Sequence, residues 1–253
     1  MKTYCFLHLY YKRYTQIILE HAVNIPNLEK MYVNIPKNQL PRADGKTPIP
    51  DENAKEYINK HINNVEYFNF ENTGRDPGGY FRMTKEAEGT IDPEDVVFCM
   101  HTKACNLGGG DVTKAGFGLQ WMSRLLQPIL KSKELGENTL KYFEEDSDVG
   151  LVGSAFERKK FYGPQNEKNC TMLYDRLDIK EENRWGAFVA GTIFAVKYSI
   201  LQKTFSVIEE TDFSPKDNKS GDGRVPHALE RMFSAVTRNE GKKVVYTMGV
   251  GSP

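Results

Sequence analysis

Residues 71–80, ENTGRDPGGY, gather side chains able to hold an anion. Asp76 followed by Pro77 reads first as the cap and first turn of a helix. Capping alone gives no reason for Asn72, Gly74 and Arg75 just before it, or for Gly78 and Gly79 inside the first turn. A glycine inside a helix costs ~1 kcal/mol relative to alanine, so the pair is expected where backbone must approach a ligand closely. Arg75 adds a guanidinium to a helix N-terminus, a position that already favours anions. Further along, His101 and Lys103 follow the apolar run VVFCM and lie two apart, so both side chains can point the same way from a strand end. An ammonium and an imidazole there can neutralise a diphosphate leaving group. The CNLGGGD that follows is glycine-rich but lacks the GK[ST] of a P-loop.

A second group lies near the C-terminus. Asp222 sits in a GDG turn directly before a helical pattern that carries His227, Glu230 and Arg231. A carboxylate so placed can act as general base toward an acceptor hydroxyl, although a glycine-flanked turn aspartate is also common for purely local reasons. His227 and Glu230 are the next candidates for that proton. The acidic run Glu144, Glu145, Asp146 and Asp148 ends an amphipathic helix and reads as a solvated face rather than a metal cluster. Trp121 and Trp185 read as core or rim residues rather than sugar platforms.

The elements that must position these residues alternate along the chain. Residues 3–11, TYCFLHLYY, are β-branched and aromatic as strands prefer; 15–22 has helical pattern, and MYVNIP from Met31 is a second strand. A Pro-rich loop follows, then a helix in ENAKEYINKHI, a strand in VEYFNF, and a helix opened by Pro77. DVVFCMH is nearly continuous in apolar residues, as in a parallel sheet covered on both faces. The βαβαβαβ order predicts an α/β fold with a doubly wound, mostly parallel sheet and a mixed second half. In the second half LQWMSRLLQPIL and ENTLKYFEED read as helices, DVGLVGS as a strand, FYGPQNEKN as a loop, and GAFVAGTIFAVK as a long strand or bent hairpin. Residues 214–223 form a polar loop, with Pro226 in the first turn of the next helix, Gly241 as its cap and KVVYTM as a last strand. Such sheets bind ligands at the carboxyl ends of their strands. That rule brings HLYY, with His8 and Tyr10, together with ENTGRDPGG and HTKACNLGGG in one crevice.

The chain has 253 residues, 34 Lys plus Arg against 34 Asp plus Glu, and 39% hydrophobic residues. That length suits one α/β domain over 1–253, and zero net charge gives no global footprint for nucleic acid or anionic lipid. The four cysteines, Cys5, Cys99, Cys105 and Cys170, form no CxxC and have no histidines at zinc-finger spacing, so reduced thiols in a cytoplasmic protein are expected. No signal-peptide pattern and no membrane-spanning apolar stretch is present, and the abrupt end suggests a domain of a longer protein or a minimal enzyme.

Taken in order, FLHLYY, ENTGRDPGGY, VVFCMHTK, VGLVGS, NCTML, FVAGTIFAVK and DGRVPHALERMF resemble the rhamnan synthesis protein F family of bacterial polysaccharide glycosyltransferases, over nearly the whole chain. The resemblance implies a GT-A-like fold, with a nucleotide-sugar-binding half over 1–110 and an acceptor-side half over 111–253. With the strand-end rule, it implies donor binding by His8, Tyr10, Asn72, Gly74, Arg75, Asp76, His101 and Lys103, and acceptor binding by Gly191, His227 and Arg231. It implies Asp222 as the base of an inverting transfer. His101-Thr102-Lys103 stands where many such enzymes carry an Asp-x-Asp metal site, which leaves metal dependence open and favours transfer without a divalent ion. A dTDP- or UDP-sugar donor, with a deoxyhexose such as rhamnose, and a glycan or lipid-linked acceptor complete the expectation; a lipid-linked acceptor would make the protein peripheral to a membrane. The rival reading is a catalytically inactive carbohydrate- or nucleotide-binding module of a larger assembly enzyme.

Overall fold

The structure, a computed structural model, describes residues 1–37, 50–103, 112–160, 164–214 and 223–249, without the side chains of 112–117. Asp222 and Cys105 lie outside the described residues. In chain order the elements are β1 (Thr3–His8), α1 (Thr15–Ala22), β2 (Leu28–Asn34), α2 (Asp51–Asn59), β3 (Val65–Phe68), α3 (Arg75–Glu86) and β4 (Val96–His101). There follow α4 (Val112–Leu130), α5 (Lys133–Glu145), β5 (Val149–Ser154), β6 (Arg158–Lys159), α6 (Pro164–Arg176), α7 (Glu181–Arg184) and β7 (Phe188–Val189). The chain continues through β8 (Phe194–Lys197), α8 (Tyr198–Phe205), α9 (Val225–Asn239) and β9 (Lys243–Thr247).

Seven strands form one sheet in the order β3-β2-β1-β4-β8-β5-β9, and β6 pairs with β7 in a separate ribbon. All neighbours in the large sheet are parallel except at β8, which runs antiparallel to β4 and β5. The expectation of a doubly wound sheet thus holds with one reversed strand from the second half inserted beside β4. Every residue of β1, β4 and β5 is buried, which is why these segments read as continuous apolar runs instead of alternating ones. Alternate side chains feed two cores. Phe6, Val97 and Cys99 pack with Tyr80 and Phe81 of α3, Leu173 of α6, Leu201 of α8 and Met232 of α9. Cys5, Leu7, Phe98 and Met100 pack on the other face with Ile18 of α1, Ile58 of α2, Leu126 of α4 and Leu140 of α5. Cys5, Cys99 and Cys170 are free and buried.

Two local expectations change. The segment read as a loop around 164–169 is the first half of α6. Pro164 occupies its first position, where a missing N–H is harmless, and Cys170, Leu173 and Tyr174 supply the buried stripe that the polar opening concealed. The segment 186–197 is neither one strand nor a hairpin of paired strands. It is β7, a turn at Gly191-Thr192, and β8, the last inserted into the main sheet. Among the described residues no helix is long and apolar enough to cross a membrane.

Candidate functional site

Parallel register places the ends of three strands side by side, with His8 opposite both Asn34 and His101. His8 is buried, with Nδ1 3.0 Å from Asn34 Nδ2. The amide can only donate, so Nδ1 accepts and the ring proton sits on Nε2. Burial pushes the His8 imidazole down to about 4. Unfolded His8 would take a proton below about pH 6.5, while the folded residue resists until about 4. The stability this contributes is complete above pH 6.5 and is lost as pH falls toward 4, on the order of 3 kcal/mol. Urea denaturation between pH 7 and 4 should therefore show a shallower loss for His8→Asn than for the wild type; equal slopes would contradict this.

The opening of α3 corrects the simplest reading of ENTGRDPGGY. Its N-cap is Gly74, at φ 76°, and Asp76 lies inside the first turn. Its carboxylate leaves the helix to accept the Thr192 hydroxyl and stands 3.5 Å from His101 Nε2. The two glycines serve internal packing. A Cβ on Gly78 would meet the Thr73 carbonyl oxygen at 2.2 Å, and one on Gly79 would meet His8 Nδ1 at 2.3 Å. The close approach inferred from sequence is real, but the approaching groups belong to the protein. Gly79→Ala should destabilise the fold by about 1–3 kcal/mol through overpacking, measurable as a lower urea midpoint; an unchanged midpoint would show that the His8 ring can give way.

His101 Nε2 lies 2.7 Å from the Gly191 carbonyl oxygen and 3.2 Å from Thr192 Oγ1. A carbonyl only accepts, so Nε2 carries the proton. Lys103 Nζ is 3.4 Å from the same carbonyl oxygen and 3.8 Å above the Trp121 ring centroid. Burial alone would raise the Asp76 carboxyl, but His101, then Lys103 and the Thr192 hydroxyl, outweigh it and hold it well below the ordinary carboxylate range. Burial lowers His101, against the pull of Asp76.

Gly191 and Thr192 form the far wall, with φ of 95° and 55°. Left-handed backbone at a β-branched residue costs ~1–3 kcal/mol and persists only where surroundings hold it. Five side chains hold it here. The Gly191 N–H donates to Glu230 Oε1, its carbonyl accepts from His101 and Lys103, the Thr192 hydroxyl meets Asp76, and Tyr80 donates to the Thr192 carbonyl at 3.0 Å. Burial raises the Glu230 carboxyl, opposed by Lys103 and the Gly191 N–H. From α9, His227 Nε2 lies 3.1 Å from Arg75 NH1, and buried Arg231 donates to the His227 carbonyl at 2.5 Å. Arg75 and His227, 152 positions apart, thus join α3 to α9.

Of the expected site residues, Asp76, His101, Lys103 and Gly191 form one connected cluster, and Arg75, His227 and Arg231 form a second linked to it through Glu230. Asn72 is buried beside His8. Tyr10 stacks edge-on to Tyr11, whose N–H bonds Thr102 Oγ1 at 2.8 Å. Sequence reasoning misses Thr192, while Trp121 packs half-buried against the core as expected, with the Lys103 ammonium over its ring. The AGT in FVAGTIF marks a turn, but nothing in the sequence announces a left-handed threonine. The acidic run behaves as a solvated face, with Asp146 paired to Lys243 at 2.7 Å. Among the described residues no three His, Cys, Asp or Glu side chains are placed to hold a metal ion.

A cleft of about 440 Å³ lies to one side, lined by Lys37, Phe70, Arg82, Lys85 and Glu210 among others. Asp76, His101, Lys103 and Glu230 do not line it, although α3 contributes to both, with Asp76 in the cluster and Arg82, Lys85 and Glu86 in the cleft. Arg82 braces the 71–73 loop, donating to the Glu71, Thr73 and Gly78 carbonyls and pairing with Glu210 at 2.5 Å.

The fold and its cluster define an α/β protein with a largely buried polar and charged cluster at the carboxyl ends of a mostly parallel sheet. The chain belongs to the Rhamnan synthesis protein F family, which matches residues 1–242. No curated protein matches the sequence. Among solved structures, a crystal structure of 4-diphosphocytidyl-2C-methyl-D-erythritol synthase is similar at a TM-score of 0.42 and 8% identity, over 97% of this chain and 89% of that one.

Proposed function

We propose that the chain is a glycosyltransferase of GT-A-like fold that moves a sugar from a nucleoside-diphosphate donor to a glycan acceptor with inversion. The observation that carries this reading is the meeting of Lys103, His101 and Asp76 at the end of β4 and the start of α3, in a member of a family named for rhamnan synthesis. The donor diphosphate lies against Lys103, with Arg75 beside it at the helix N-terminus. The acceptor hydroxyl attacks the anomeric carbon, Asp222 takes its proton, and the bond to the diphosphate breaks. Lys103 and the His101 Nε2–H stabilise the departing charge. Gly191, His227 and Arg231 face the acceptor. The family name favours a deoxyhexose such as rhamnose on dTDP, with UDP as the other donor class.

A divalent ion does not suit this donor set, because the Lys103 ammonium already stands beside Asp76 and His101. Transfer is therefore expected to survive EDTA. Activity lost on chelation and restored by Mn²⁺ or Mg²⁺ would refute this part. The reading as a whole is tested by a thermal-shift panel of nucleotide sugars, followed by nucleoside-diphosphate release with a glycan acceptor. Binding without turnover would return the chain to the class of inactive binding modules.

A further inference from the structure

We infer that Glu230 is a positioning residue for sugar transfer, holding the Gly191–Thr192 turn so that its carbonyl meets His101 and Lys103 and its hydroxyl meets Asp76. The inference rests on the proposed transferase reading for its kinetic consequence, but its structural basis is separate. Glu230 reaches from α9 to the Gly191 N–H through Oε1, while Oε2 stands 3.4 Å from Arg231 NH1. That N–H is the one polar backbone atom of Gly191 facing the acceptor-side helix; the other, the carbonyl oxygen, faces His101 at 2.7 Å and Lys103 at 3.4 Å. A peptide fixed at its amide presents the following groups in a fixed direction, and two successive left-handed residues leave the turn dependent on such contacts. Glycine suits the first of the two, because a φ of 95° is one that L side chains rarely adopt. Glu230 thus acts on the diphosphate-binding groups through the turn rather than by touching substrate.

Two conservative variants separate geometry from charge. Glu230→Gln keeps a carbonyl acceptor of the same reach and loses the charge. Glu230→Asp keeps the charge and is one methylene too short for the Gly191 N–H. If Glu230 positions the turn, the Asp variant loses ~10²-fold in kcat, the scale of a misplacement of about 1 Å, with donor KM changed less than ~3-fold. The Gln variant recovers most of that loss, staying within ~10-fold of wild type. A Gln variant as inactive as the Asp variant, or less active, would overturn the inference, since charge or proton transfer would then be the role. The Gly191 amide resonance gives a readout independent of any activity: it should move upfield in the Asp variant and far less in the Gln variant. If the wild type transfers no sugar while Gly191 responds in this way, the functional reading fails and the positioning of the turn stands. If the wild type transfers sugar and Gly191 is indifferent to both substitutions, the positioning inference fails alone.

Discussion

Lys103→Ala is expected to lower sugar transfer by ~10²–10³-fold, the range for removing a preorganised charge-stabilising donor, and to weaken nucleoside-diphosphate binding by ~10-fold. The ammonium is held by a neutral carbonyl at 3.4 Å and by the face of Trp121 at 3.8 Å. Neither contact neutralises it, although the Asp76 and Glu230 carboxylates feel its charge, and a phosphate would take the place of the carbonyl contact. A lysine half-exposed at a strand end contributes little to the core, so the variant should melt close to the wild type. Lys103→Arg should keep much of the binding but not all of the rate, because a planar guanidinium cannot occupy the ammonium's place between the Gly191 oxygen and the indole. Diphosphate titration and initial rates check both. An alanine variant that transfers sugar at the wild-type rate would remove Lys103 from the mechanism.

The strands that place this lysine are legible in the sequence, because β1, β4 and β5 are buried on both faces and carry no polar alternation. The strand-end rule assigns His8, Asp76 and His101 to one crevice from residue order alone, and the register makes His8 and His101 neighbours. Other features are hidden, for physical reasons. The first half of α6 exposes its polar side, so its helical stripe begins only at Asn166 and Cys170. Gly78 and Gly79 reveal that something approaches the backbone, but a missing Cβ carries no information about what does. The Asp-Pro pair resembles a cap because a carboxylate near a helix N-terminus satisfies the same local preference whether it bonds that helix or, as here, Thr192. The contacts of Arg75 with His227 and of Gly191 with Glu230 depend on α3, α9 and the turn before β8 meeting on one side of the sheet. No local pattern encodes that meeting.

The mechanism rests finally on Asp222, and Asp222→Asn is expected to bind donor nearly as well as wild type while losing ~10²–10⁴-fold in transfer, the range for a lost general base. Asparagine keeps the size and much of the hydrogen bonding and removes only the proton acceptor. The residue that follows it is anchored. Gly223, at φ 90°, accepts from Asn169 Nδ2 at 3.0 Å and donates to Asn166 Oδ1 at 2.9 Å, which pins it to α6. Two residues later α9 begins, with His227 in its first turn reaching Arg75 at the opening of α3. Single-turnover transfer with donor bound separates the two expectations: wild-type affinity with a slowed chemical step supports the role. Full transfer by the Asn variant would end it. So would a bound-donor structure with the Asp222 carboxylate beyond the reach of one bridging water from the acceptor hydroxyl, since a base must take its proton directly or through a single water.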